Sequence, residues 1–77
     1  MEHPERSYAA YNVFHLKQEP DLCCAVRQDR HVPSFIIAER WNYRLTWEDK
    51  DDAPLGFQRK AAKEATNTMG FYIFLAV

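Results

Sequence analysis

Phe57-Gln58-Arg59-Lys60-Ala61-Ala62-Lys63-Glu64-Ala65-Thr66-Asn67-Thr68-Met69-Gly70-Phe71-Tyr72-Ile73-Phe74-Leu75-Ala76-Val77 is the stretch whose reading decides the fold class. From Phe57 to Met69 the apolar residues recur at helical spacing. Phe57, Ala61, Ala62, Ala65 and Met69 form one stripe, opposite Arg59, Lys60, Lys63, Glu64 and Asn67. Gly70 is the expected stop, because glycine enters the left-handed conformation after a last turn without a Cβ clash. The next segment, Phe71 to Val77, is apolar on both parities. That pattern belongs to a strand covered on both faces or held inside a sheet. The alanines of the helix predict a close seat on that sheet, with Ala61 and Ala65 as the contact.

Upstream of the helix the period is two. Trp41, Tyr43, Leu45 and Trp47 alternate with Asn42, Arg44 and Thr46, which predicts a strand with one apolar and one wet face. Tyr8 to Leu16 and Leu22 to Gln28 read as two further strands, joined through the turn residues Gln18-Glu19-Pro20-Asp21. Tyr8–Leu16 is apolar on both parities, as an interior strand is. Residues 33–40 admit either an extended segment or a short helical turn opened by Pro33, and the helical turn is preferred. Residues 48–56 read as a charged surface loop, and residues 1–7 as a frayed polar tail before a single domain at 8–77.

These elements predict a small two-layer α+β sandwich: about four strands, mostly antiparallel, in the order β-β-(short helical turn)-β-α-β, with one helix on one face. Strands one to three are expected as a meander. The last strand is expected beside the first and parallel to the third, in the order 4-1-2-3 or a close variant.

Composition bounds the function. Seventy-seven residues with 47% hydrophobic and 14% aromatic side chains can build one real core. Ten basic and eleven acidic residues leave a formal charge of −1, whereas proteins that bind nucleic acid through phosphate are usually basic. No apolar run approaches the length that spans a bilayer, and the N-terminus lacks the pattern of a secretory signal. Cys23 and Cys24 are adjacent and form no disulfide framework, so a cytoplasmic location is expected.

Sites of chemistry are weakly signalled. Structural zinc needs paired ligands, and the chain has neither Cys-x-x-Cys nor His-x₃-His, so neither metal nor cofactor is expected. Cys23 or Cys24 with His15 and Asp21 could be drawn as a nucleophile, base and orienting acid. A domain this small offers little cleft to hold them, so the expectation is not an enzyme. Only two glycines are present, and no phosphate-cradling loop.

The aromatic residues are more informative. Most belong to a core, since aromatics dominate small ones. The remainder, with nearby arginines, give the candidate partner-binding set Arg27, Trp41, Tyr43, Arg44, Trp47 and Tyr72. One helix covers one face of a four-stranded sheet. The other face needs residues 33–40, a second copy or a partner as its shield. Likewise the uncharged segment Phe71 to Val77, without proline or glycine, must lie inside the sheet or pair with another chain. The expected function is a small non-enzymatic protein-interaction module, able to form a homodimer. The alternative is a single-stranded nucleic-acid-binding domain whose sheet presents aromatic and Arg residues.

Overall fold

A computed structural model describes residues 10–48 and 50–77. The expected tail 1–7 and Tyr8 lie outside the described residues. The elements are β1 (Ala10–Leu16), β2 (Glu19–Arg27), β3 (Trp41–Glu48), α1 (Arg59–Met69) and β4 (Tyr72–Leu75). They form a two-layer α+β sandwich, with a four-stranded antiparallel sheet in the order β3-β1-β2-β4 and one helix.

β1 is interior, as its two apolar parities require. The strand order differs from the expected meander. β3 pairs with β1, and β4 pairs antiparallel with β2 rather than lying beside β1 and parallel to β3. Two features of the chain explain this. Residues 28–40 are too long and too apolar for a hairpin, and they carry the chain past β1 from one end of the sheet to the other. In β2, Cys23, Cys24 and Ala25 are small and fully buried, so this strand accepts a neighbour on each edge and a layer on each face.

The turn after β1 is tighter than expected: Lys17 and Gln18 form it, and Glu19 already pairs with Leu16. The register then shifts, since His15 faces Cys23. Pro20, Asp21 and Leu22 therefore have no partner on β1, where a proline without an N–H is tolerated, while Leu22 pairs with Leu75 of the last strand.

β1 places Tyr11 and Val13 on one face of the sheet, opposite Ala25 and Cys23 of β2 and Phe74 of β4. This first face carries α1. The helix starts at Arg59, so Phe57 precedes it and packs as a separate anchor. Phe57 meets the rings of Trp47 at 4.6 Å, Tyr72 at 5.2 Å, and Tyr11 and Phe74 at 5.3 Å each. The contact stripe of α1 is Ala62 and Thr66, both fully buried, rather than Ala61, which is exposed, and Ala65, which is half-buried. Starting the helix after Phe57 rotates the stripe by about one residue. Threonine is acceptable there because its hydroxyl donates back to the Ala62 carbonyl at 2.8 Å. Gly70 ends the helix as expected, at φ 90° with its N–H on the Thr66 carbonyl. Arg30 donates to that same carbonyl at 3.2 Å, placing a cation at the negative end of the helix.

Residues 33–40 form two separate turns, closed by Ile36 N–H on the Pro33 carbonyl and Arg40 N–H on the Ile37 carbonyl. No helix propagates. Phe35 stacks against Trp41 at the start of β3 and against Phe71 just before β4. The segment thus lies over the second face, where Cys24 and Val26 are fully buried.

Candidate functional site

β3 carries most of the expected site residues, and its regular alternation is broken. Val13 pairs with Leu45 but Phe14 pairs with Tyr43, so Arg44 is an extra residue, a β-bulge. Below the bulge, Trp41 and Tyr43 belong to the second face with Leu16 and Phe14. Above it, Leu45 and Trp47 belong to the first face with Val13 and Tyr11. The aromatic stripe read along the strand is therefore split between the two sides of the sheet.

Each member of the expected set can be placed. Trp47 is core, stacked on Tyr11 at 5.8 Å, with its indole N–H on the Asp52 carbonyl at 2.7 Å and the Arg59 guanidinium over its ring. Tyr72 stacks on Phe74, and its hydroxyl accepts the Gln58 N–H at 3.3 Å, which fixes the entry to α1. Arg27 is half-buried on the first face and paired with Asp29 at 2.9 Å, its Nε buried without a hydrogen bond. Trp41 is half-buried under Phe35. Tyr43 is 58% exposed, edge-on to Phe14, and ends a polar chain running through Thr46 to Asn12. Trp41 and Tyr43 thus come together on the second face, and the other four lie on the first.

Two features had no signal of their own in the sequence. The first is the outer margin of β4. Ala76 N–H bonds to the Asp21 carbonyl, so residues 72, 74 and 76 direct their backbone groups towards β2. Those of Ile73 and Leu75 point away from the sheet. Their side chains belong to the second face and are 40% and 50% exposed. A shallow open trough runs beside the strand, bordered by Leu22, Gly56, Gln58 and Val77. Apolarity was legible in the sequence here. The edge position was not.

The second feature is a cavity of about 160 Å³ on the first face, beyond the cover of α1. Val13, Cys23, Leu45 and Phe74 line it from the sheet, and Pro54 and Leu55 from the loop. Gly56 holds that loop against β4: at φ 83° its Cα lies so close to Leu75 that a Cβ would sit 1.8 Å from the carbonyl oxygen. Arg44 lines the cavity because the bulge turns it to this face. It lies beside the Cys23 thiol. Among the described residues no carboxylate is in ion-pair contact with its guanidinium.

His15 is the cross-strand neighbour of Cys23, its Nδ1 buried without a hydrogen bond. His15 and Cys23 of the nucleophile sketch are thus neighbours across the hairpin, while Asp21 stays exposed. Burial nevertheless raises the Cys23 thiol above its ordinary range, against the lowering influence of Arg44 and with a smaller upward push from Asp21. Cys24 on the other face is pushed up to about 12 by burial and by Cys23. Thiolates are disfavoured at both positions, which is the opposite of nucleophile activation. Among the described residues, no three His, Cys, Asp or Glu side chains gather as metal ligands, and no helix is long and apolar enough to cross a membrane.

No protein-family model, curated protein or solved structure is matched by this chain.

Proposed function

We propose that this chain is a small non-enzymatic interaction module that pairs with a second copy of itself through β4. One observation carries the reading: the most apolar strand of the chain lies at the edge of the sheet. Such a strand normally ends in charge, proline or a bulge, because an open row of N–H and C=O groups templates further pairing. Tyr72-Ile73-Phe74-Leu75 has none of these. A two-fold axis beside β4 would run the two strands antiparallel and pair the outward groups of Ile73 with the partner copy, next to the Leu75 carbonyl that the loop already covers at Gly56. It would also bring the exposed Ile73 and Leu75 side chains of both copies together on one side of the joined sheet. The trough beside the strand leaves room for that addition.

The nucleic-acid alternative gains no observation of its own. Among the described residues Arg27 and Arg44 lie on one face and the exposed Tyr43, with Trp41, on the other, which does not favour that reading.

The test is sedimentation of the wild-type chain and of Ile73→Lys over a range of micromolar concentrations. Ile73 is partly exposed, so the lysine should leave the fold intact by circular dichroism while blocking the edge. A dimer in the wild type and a folded monomer in the variant are expected. A wild type that stays monomeric throughout, or a variant that still dimerises, removes β4 as the interface.

A further inference from the structure

The cavity over Val13 and Cys23 is separate from the β4 margin in its chemistry. The side chains that line it are apolar apart from the Cys23 thiol and the Arg44 guanidinium. A guanidinium is the most persistent cation among side chains and offers paired N–H donors matched to a carboxylate. Three other arginines are held by groups of the chain itself: Arg27 by Asp29, Arg30 by the Thr66 carbonyl, and Arg59 by the Asp51 carbonyl and the Trp47 ring. Arg44 faces a thiol held in its neutral form, which is a poor counterpart for a cation. The bulge is what places it here, since a regular β3 would carry position 44 to the second face.

Size and charge together narrow the occupant. Apolar cavities of roughly 150 Å³ accept a molecule the size of benzene. The cavity measures about 160 Å³, and Leu55 in its lining is 69% exposed. From this charge complementarity we infer that the cavity binds a small apolar monocarboxylate, of benzoate size, with its carboxylate on Arg44 and its body against Leu45 and Phe74. Phosphate fits less well, because a dianion calls for several donors and finds a single guanidinium in an apolar surround.

The experiment is a two-dimensional NMR titration of the full chain at constant ionic strength, with benzoate, benzyl alcohol and inorganic phosphate as probes. Benzoate should give saturable shifts at the amides of Cys23, Leu45 and Phe74, with a Kd of about 1 mM or below, as a ligand of this few atoms allows. Benzyl alcohol should bind at least tenfold more weakly and phosphate not at all. Arg44→Gln keeps an exposed side chain at the bulge, so the fold is preserved and its spectrum verifies this. It should cost benzoate at least tenfold and leave benzyl alcohol unchanged. Equal binding of benzoate and benzyl alcohol, competition by phosphate, an unaffected Arg44→Gln, or no saturable shift would each overturn the inference. None of these outcomes depends on whether β4 pairs with a second copy.

Discussion

The two faces of the sheet are closed by different means. On the first, Tyr11, Trp47, Phe57, Tyr72 and Phe74 interlock ring against ring beneath a helix seated through Ala62 and Thr66. On the second, residues 28–40 lie across the strands as turns, with Phe35 meeting Trp41 and Phe71. The centre of each face is equally dry, with Ala25 and Cys24, one on each side, both fully buried. The margins differ. Val32, Phe35, Ile37, Tyr43, Ile73 and Leu75 remain substantially exposed around the second cover. A helix brings a continuous stripe of side chains to a sheet and bonds its own backbone internally. A loop must spend side chains and turns on its own backbone groups, and so covers less. Most of the exposed apolar residues therefore lie on the loop-covered side, with Leu55 and Met69 exposed on the helix side.

The strongest break of this comparison is truncation at the two aromatic anchors. Phe57→Ala removes the hub of four ring contacts and should cost about 3–5 kcal/mol, enough to unfold much of a domain this small. Phe35→Ala, at a ring already partly in water, should cost only ~1 kcal/mol. Chemical denaturation of both variants checks this. Equal losses would show that the loop is as integral a cover as the helix.

Gly56 tests how tightly the first face is sealed beside the helix. Its positive φ and its approach to the Leu75 carbonyl both exclude a side chain. Gly56→Ala should therefore destabilise by about 2 kcal/mol or more, measured by the same unfolding curves. A neutral alanine would mean that the 54–57 loop is free to lift from β4 without cost to the core.

The adjacent cysteines give the finest probe, one thiol per face. Cys24 is sealed, whereas Cys23 lines the cavity, so alkylation of the native protein should modify Cys23 first and Cys24 only through global unfolding. The raised thiols also set a pH dependence. Cys24 stays protonated in the folded chain up to about 12 but ionises near the ordinary 9.0 when unfolded. Its contribution to stability is complete below that lower value and declines as pH climbs towards the higher one. Thermal melts across this window should show the decline, and Cys24→Ala should make it shallower. Equal labelling rates at the two thiols would show that the second cover opens as readily as the cavity.

Local physics was enough for the elements: the helix with its Gly70 stop, the period-two strands, the interior character of β1 and the α+β class were all legible in side-chain spacing and backbone preference. The connections were settled in three dimensions. Nothing in the local pattern of residues 28–40 states that they pass over β1, because that depends on which covered face is available once β1 and β2 have paired. The same holds for β4, whose apolarity was plain but whose place at the edge depends on the small residues Cys23, Cys24 and Ala25 across from it. The candidate site was the least legible part. One extra residue at Arg44 reverses the facing of everything beyond it, so an aromatic stripe that is continuous in sequence becomes two half-stripes, and an arginine expected on the wet side turns into an apolar cavity. A bulge is set by how two strands register against each other, and a single strand read alone carries no record of its partner.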